Sequence, residues 1–205
     1  MKSSASTALE CSLCTILSAA RLVAEPRRGV KPAYEEYHVI AGMLLMLDSP
    51  IGRPSLSKRL GLGDTAAKTM IRRLVEHGFA ERVGRSGVKL VDSLREALLA
   101  LRVCIYGSGS VCIAFNTCRY ECSSLTDVLR LRDSLVSVGV KPVLIMCCSR
   151  GVEAPGVPRD LLESYASFCE ACNGRSLCVI VEDAGDPLLI ASRVLYSVAS
   201  IECGG

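Results

Sequence analysis

Side chains that can contact nucleic acid fall at helical spacing near the middle of this 205-residue chain, at Thr65, Lys68, Thr69 and Arg72. Residues spaced i, i+3, i+4 and i+7 share one face of a helix, and hydroxyl, ammonium and guanidinium groups donate hydrogen bonds to phosphates and base edges. An apolar stripe marks the opposite face, formed by Ala67, Met70, Ile71, Leu74 and Val75. The pattern predicts an amphipathic helix over residues 65–76, with its cationic face turned outward.

Short elements on either side would position this helix. Pro54 opens a helix over residues 55–60, and the glycine-rich segment 61–63 supplies a sharp turn between the two helices. Asp64 or Thr65 is the expected N-cap of the second helix, and Gly78 is its expected C-terminal glycine.

Two β-type runs follow at residues 80–83 and 88–91, around a loop of turn formers with Arg85 at its tip. The sequence of residues 34–47 predicts an earlier helix, and that of residues 50–52 predicts a short strand. Together these elements have the order of a winged helix-turn-helix.

Double-stranded DNA is the partner that this arrangement predicts. The residues expected to approach base edges and nearby phosphates are Thr65, Lys68, Thr69 and Arg72. The residues expected to hold backbone phosphate are Ser55, Ser57, Arg73, Arg85 and Lys89. The alternative is a winged helix that mediates only protein contacts.

The charge distribution favours DNA as the partner over protein contacts alone. Positions 53–95 hold ten Lys and Arg against four Asp and Glu, whereas positions 101–205 hold nine cations and eleven anions. Because the whole chain has a net charge of only +3, its basic character is concentrated in the predicted winged helix.

Residues 103–205 have a different pattern, in which β-type runs alternate with helical segments. That alternation is typical of a layered α/β domain. The predicted fold class is therefore a winged helix combined with a small α/β domain. The expected division is an N-terminal helix and linker (1–33), the winged helix (34–92), a linker helix (93–102) and the α/β domain (103–205).

Cysteine is the most unusual feature of the composition, since ten of the twelve cysteines lie in residues 101–205. Most cytosols keep thiols reduced, whereas intracellular proteins of hyperthermophiles use disulfides. Some cysteines are close in sequence, but sequence alone does not set connectivity; these pairs are Cys11 with Cys14, Cys118 with Cys122, and Cys169 with Cys172. Others lie in apolar β-type runs and are expected to be small buried hydrophobes; these are Cys104, Cys112, Cys147 and Cys178.

Metal and catalytic signals are weak. The two Cys-x-x-Cys pairs have zinc-like internal spacing, but 155 positions separate them, so no metal site is expected and local disulfides or inert thiols are favoured. Both histidines, His38 and His77, lie outside residues 103–205, which therefore lack a Cys–His or Ser–His pair. We expect neither enzymatic activity nor a cofactor.

An acidic group follows a buried β-type run near the C-terminus, at Glu182, Asp183 and Asp186. Open α/β sheets bind ligands at such edges, so these residues are candidate contacts for a small effector. The alternative is that Asp186 caps the last helix.

No membrane segment is expected, because the longest apolar run, residues 40–47, is far shorter than the roughly 20 residues that cross a bilayer. The first twenty positions also lack the pattern of a signal peptide. Both observations predict a cytoplasmic protein.

Several motifs in the first half of the chain resemble a family of archaeal winged-helix proteins of unknown function that are regarded as transcriptional regulators. The matching motifs are Lys31-Pro32, Tyr37-His38-Val39, Pro50-Ile51-Gly52-Arg53, Leu56-Ser57, Leu60-Gly61-Leu62-Gly63, Arg73-Leu74 and Gly78. In that family an α/β domain follows the winged helix, and Arg132-Asp133 and residues 177–199 are similar to parts of it. The resemblance implies a regulator of transcription.

The resulting hypothesis is a sequence-specific DNA-binding regulator, whose α/β domain forms a homodimer or binds a small effector. The other class of function is a cysteine-based redox or metal sensor coupled to the winged helix.

Overall fold

The computed structural model describes residues 11–84, 87–107, 110–118, 120, 124–148, 151–174, 176–182 and 185–204. Its helices are α1 Ser12–Ala24, α2 Glu36–Leu45, α3 Arg53–Leu60, α4 Asp64–Glu76, α5 Asp92–Leu101, α6 Leu125–Ser137, α7 Arg159–Glu163, α8 Ala166–Ala171 and α9 Pro187–Cys203. Its strands are β1 Ala80–Val83, β2 Gly87–Leu90, β3 Cys104–Tyr106, β4 Ser110–Phe115, β5 Pro142–Cys147 and β6 Leu177–Glu182. The expected combination of a helical part with a mixed α/β part is confirmed.

Glycines set the ends of α3 and α4. Gly61 ends α3 with a φ of 63°, in the left-handed region that glycine adopts without a steric penalty. After α4, Gly78 donates its N–H to the Val75 carbonyl, and Phe79 donates to the Leu74 carbonyl. This is the Schellman pattern, so the predicted C-terminal role of Gly78 is confirmed.

The predicted N-cap of α4 was wrong. Gly63 occupies the cap position without any side-chain hydrogen bond, while Asp64 and Thr65 lie inside the first turn. At that place the Asp64 carboxylate still interacts favourably with the positive end of the helix dipole.

The hairpin of β1 and β2 is antiparallel, with Ala80 opposite Leu90 and Val83 opposite Gly87. Ile51 adds a further bridge, because its N–H and C=O exchange hydrogen bonds with Val88 at 2.9 and 3.0 Å. The short β segment predicted before α3 therefore exists, and it ties the start of α3 to the hairpin.

The second sheet has the strand order β3-β4-β6-β5, and all of its described pairings are antiparallel. Side chains alternate between its two faces. Ile113 and Val179 face a large core that includes α9, while Cys112 and Ile180 face a smaller core under α7 and α8. The sheet is thus covered on both sides.

The large core continues from the helices of the first half into the second sheet. Leu17 of α1, Ile40 of α2, Leu74 of α4 and Val198 of α9 all belong to it and are almost fully buried. Because α9 packs against both α1 and α2, residues 34–92 share this core with residues from 103–205.

Disulfides join parts of the chain that are distant in sequence. The pairs between described residues are Cys11–Cys118, Cys14–Cys203, Cys104–Cys172, Cys112–Cys178 and Cys148–Cys169. The local pairs Cys11–Cys14 and Cys169–Cys172 were therefore wrong, and Cys118 pairs with Cys11, while Cys122 lies outside the described residues. Cys112 and Cys178 are fully buried, as expected of small hydrophobes, but they and Cys104 are disulfide-bonded. Cys147 is disulfide-bonded as well. Tertiary packing brings these thiols together, and local spacing carries no information about it.

In the part of the chain that the structure describes, no helix combines the length and the apolar character needed to cross a bilayer.

Candidate nucleic-acid interface

The outer face of α4 is open and cationic. Thr65, Lys68 and Arg72 are exposed, with 58% of the Arg72 side chain accessible, and Thr69 is half-buried. Lys68 forms no ion pair with any described residue. Its ammonium group is therefore available to an external anion.

The inner face of α4 is fixed by close packing. Ala67, Met70 and Leu74 are fully buried, and α2 approaches so closely that a Cβ added at Gly42 would lie 3.3 Å from the Met70 sulfur. Interiors packed at this density transmit force and resist displacement. The packing therefore fixes the position of α4 and of the exposed cations that it carries.

The predicted role of Arg73 as a phosphate contact was wrong. Its side chain is only 4% exposed, and its Nη1 donates hydrogen bonds to the carbonyl oxygens of Val23, at 2.9 Å, and Glu25. Because the guanidinium faces the end of α1, it cannot reach DNA. Arg73 therefore has a structural role.

Ser57, one of the two serines predicted to hold phosphate, stabilises the turn between α3 and α4. The Ser57 hydroxyl donates to the Leu62 carbonyl at 2.6 Å, and the Leu62 N–H donates to the Ser57 carbonyl at 3.0 Å. Ser57 is half-buried and holds the turn, so its hydroxyl proton is not available for a phosphate. Ser55 is exposed on the first turn of α3 and keeps its predicted position at the surface.

Lys89 lies on the hairpin, directly opposite Glu81. Its Nζ is 2.8 Å from a Glu81 carboxylate oxygen, and this hydrogen-bonded pair raises the pKa of Lys89. Both side chains are about half exposed, so solvent weakens the pairing and a phosphate can compete for the ammonium group. Arg85, predicted at the hairpin tip, lies outside the described residues.

Two further exposed cations, which were not among the predicted phosphate contacts, lie in the last turn of α3. Lys58 and Arg59 are exposed, and they follow Ser55 at i+3 and i+4, on the side of α3 opposite the buried Leu56 and Leu60. Their spacing from Ser55 is visible in the sequence and could have placed them beside it.

The C-terminal end of α4 carries a small ionic network. The Glu76 carboxylate accepts a hydrogen bond from Arg27 at 2.7 Å and lies 3.6 Å from the Arg72 Nε. The hydrogen bond from Arg27 lowers the pKa of Glu76. Arg27 also lies 3.2 Å from the His77 ring nitrogen, so the linker after α1 is fastened to α4.

The fold has a solved counterpart. The chain is similar to the structure titled "Hypothetical protein PH0730 from Pyrococcus horikoshii OT3", with a TM-score of 0.60 and 22% sequence identity over 82% of this chain and 92% of that chain. No protein-family model and no curated protein matches the chain. At this level of identity the likeness shows a shared fold alone.

The acidic group predicted as an effector site is only partly described. Glu182 ends β6 and is exposed, while Asp183 lies outside the described residues. The Asp186 side chain accepts a hydrogen bond from the Leu188 N–H at 2.9 Å and caps α9. Because every described pairing in this sheet is antiparallel, neighbouring strands end at opposite edges, and Glu182 does not lie at a shared carboxyl edge of the kind where open α/β sheets bind ligands.

Proposed function

We propose that the protein is a sequence-specific DNA-binding transcriptional regulator, in which residues 34–92 act as a winged helix-turn-helix and α4 is the recognition helix. The observation that carries the proposal is the exposed face of Thr65, Lys68 and Arg72 on a helix whose other face is buried. A cationic surface on a rigid helix has the chemistry that a phosphate backbone and base edges require.

The dimensions of α4 fit a duplex. Its 13 residues give a length of about 20 Å at 1.5 Å per residue, and the major groove, about 12 Å wide, admits one helix. With α4 in the groove, Lys68 and Arg72 lie one turn apart and can contact successive bases or phosphates.

Backbone phosphates would be held by residues on either side of α4. Ser55, Lys58 and Arg59 form the exposed side of α3, and Lys89 lies on the hairpin. Phosphate contacts of this kind set the register of a protein on DNA and carry no sequence information of their own.

The second half of the chain would form the dimer interface. Leu125, Leu129 and Val136 are 51%, 43% and 53% exposed, and their spacing puts them on one side of α6, away from the buried Leu131 and Leu135. An exposed apolar stripe on a helix is suited to pairing with a second copy of the chain. A homodimer would recognise two half-sites in a palindromic operator.

The proposal involves no catalytic step. The His38 ring accepts a hydrogen bond from the Glu35 N–H at 3.0 Å, and His77 lies beside Arg27, so both rings have structural partners. We place the regulator in the cytoplasm.

A selection of genomic fragments with the purified full-length protein tests the proposal. We expect enrichment of fragments that share a palindromic sequence, and loss of that enrichment in the double variant Lys68→Ala, Arg72→Ala. Lys141→Ala removes an exposed cation before β5 and serves as the control, which should enrich the same fragments. Recovery of random fragments, or equal enrichment by the double variant, would contradict it.

A further inference from the structure

Four cysteines from three distant parts of the chain meet at one place, and we propose that in their reduced form they bind one Zn²⁺ ion as thiolates. Cys11 immediately precedes α1 and Cys14 lies in its first turn. Cys203 is the last residue of α9, and Cys118 follows β4. We call these four residues the cysteine cluster.

Three sulfur atoms of the cluster are close enough to one another for one ion, and the fourth lies beside one of them. The Sγ atoms of Cys11, Cys14 and Cys203 all lie within 4.8 Å of one another, and Cys118 is bonded to Cys11. A tetrahedral zinc site with Zn–S bonds of about 2.3 Å holds its sulfurs roughly 3.8 Å apart. For Cys11, Cys14 and Cys203, conversion to one metal site therefore needs sulfur movements on the order of 1 Å, and the Cys118 sulfur has to swing in from its position beside Cys11.

The local backbone around Cys11 and Cys14 suits thiolate ligands. The Cys14 and Thr15 N–H groups donate to the Cys11 carbonyl at 2.8 and 3.1 Å, so the Cys-x-x-Cys segment forms the opening turn of a 13-residue helix. Cys-x-x-Cys is a common spacing of structural zinc ligands. The positive end of the helix dipole also favours the ionised thiol that metals bind.

Glu202 holds the loop that brings Cys118 to the cluster. Its carboxylate accepts hydrogen bonds from the N–H groups of Cys118, at 3.2 Å, and Tyr120, at 2.7 Å, and lies 3.5 Å from the Cys11 sulfur. Outer groups of this kind orient the ligands of metal sites. Glu202 is therefore a positioning residue for the fourth ligand.

A cleft gives solvent access to the cluster. It has a volume of about 390 Å³ and is lined by Cys11, Cys14 and Ala19 of the first helix region together with Phe79. A metal ion or a small reductant can enter by this path, which a metal site requires.

The cluster differs from the other disulfides of the described residues. Within those residues, the only groups of three Cys, His, Asp or Glu that converge this closely are Cys11 with Cys14 and Cys203, and Cys11 with Cys118 and Glu202. Both groups contain Cys11, so they describe one site.

The chemistry balances in two steps. A dithiol reductant gives each disulfide two electrons and two protons, and leaves as its own disulfide. The four thiols then bind Zn²⁺ and release four protons, which leaves a tetrathiolate complex of charge −2. The second step involves no change in oxidation state.

Co²⁺ titration of the full-length protein tests the proposal. The chain is reduced without oxygen, freed of reductant and titrated with Co²⁺, whose tetrahedral thiolate complexes absorb visible light intensely. We expect one Co²⁺ per chain with that spectrum, displacement by one equivalent of Zn²⁺, and no binding by the oxidised chain. Glu202→Gln should weaken binding by about 10-fold, because it removes only the positioning charge.

Matched double variants identify the ligands. Cys14→Ser with Cys203→Ser should abolish the spectrum, whereas Cys104→Ser with Cys172→Ser, which also removes one disulfide, should keep it. Equal loss or equal retention in the two variants would overturn the proposal. So would a reduced wild-type chain that binds no Co²⁺, whether it is folded or unfolded by circular dichroism, or an oxidised chain that binds it equally well. These outcomes are independent of whether the protein binds DNA.

Discussion

The Arg73 guanidinium of α4 donates a hydrogen bond to the Val23 carbonyl of α1 over 2.9 Å. The Glu25 carbonyl accepts from the same Nη1, and the Tyr34 hydroxyl donates to the Val23 carbonyl at 3.1 Å. The last carbonyls of a helix have no partners within it, and a cation there also complements the helix dipole. Arg73 therefore locks α1 to the inner face of α4, while the neighbouring Arg72 faces solvent.

Substitution of Arg73 by Met should destabilise the fold. The change keeps much of the apolar stem but leaves two carbonyls without their charged donor, so the free energy of unfolding should fall by about 2–4 kcal/mol. Urea denaturation followed by circular dichroism measures it. Arg72→Met is the matched control and should stay within about 0.5 kcal/mol of wild type, because Arg72 is exposed. Equal losses in the two variants would be inconsistent with this role for Arg73.

The salt dependence of DNA binding should show whether the outer face of α4 contacts phosphate. Each phosphate contact contributes about 0.9 to the slope of log K against log salt concentration. The double variant Lys68→Ala, Arg72→Ala should therefore lower the slope by about 1.8 if both side chains contact phosphate. Fluorescence anisotropy over a salt series measures it, with Lys141→Ala as a control that removes one exposed cation outside residues 34–92. An unchanged slope together with an unchanged affinity in the double variant would exclude Lys68 and Arg72 from the interface.

Local patterns in the sequence were sufficient to predict the elements around α4 but not the role of every cation in them. Arg72 and Arg73 have the same chemistry and are adjacent in sequence, yet one is exposed and the other buried. What buries Arg73 is the end of α1, about 50 positions away. Periodicity within one helix carries no information about such a distant partner.

The second half of the chain was predicted less completely for the same physical reason. The sequence pattern showed that β-type runs alternate with helical segments, but strand order, antiparallel pairing and the disulfides depend on long-range packing. The pairing of Cys14 with Cys203, for example, follows from the packing of α9 against α1. The cysteine cluster was invisible to spacing rules because its members lie in three separate parts of the chain.

Gly87 should be required for the hairpin. It has a φ of 120°, and a Cβ there would lie 2.3 Å from the Ile51 carbonyl oxygen. Gly87→Ala must break the bridge between Ile51 and Val88 or move the hairpin, so the unfolding free energy should fall by at least about 2 kcal/mol. Gly84→Ala is the matched control, since Gly84 also has a positive φ but, apart from its neighbours in sequence, no described residue lies within 4 Å of the added Cβ; it should cost about 1 kcal/mol. Thermal melts of both variants check the difference, and equal losses would show that crowding against Ile51 is unimportant.

His38 should make the stability of the fold depend on pH. Burial lowers the pKa of His38, the nearby Arg193 charge lowers it further, and its Nδ1 accepts the Glu35 N–H. Because the folded pKa lies below the unfolded value of about 6.5, the unfolded chain takes up the proton first as pH falls. The contribution of neutral His38 is therefore complete above about pH 6.5 and is lost as pH falls toward the folded pKa.

His38→Asn isolates that contribution, because an amide oxygen can still accept the Glu35 N–H but does not titrate. Denaturation free energies at about pH 7.5 and about pH 5.5 should differ less in the variant than in the wild-type protein. The same difference in both proteins would assign the pH dependence to other groups.

Substitutions of Asp186 should show whether the N-cap of α9 needs a hydrogen-bond acceptor or a negative charge. Its carboxylate accepts the Leu188 N–H at the start of α9, and Pro187 occupies the first turn, where its missing N–H costs nothing. Since Asn caps helices about as well as Asp, Asp186→Asn should leave the melting temperature almost unchanged, while Asp186→Ala should lose about 1 kcal/mol of stability. If Asn is as destabilising as Ala, the negative charge itself is what this position needs, because it complements the positive end of the α9 dipole.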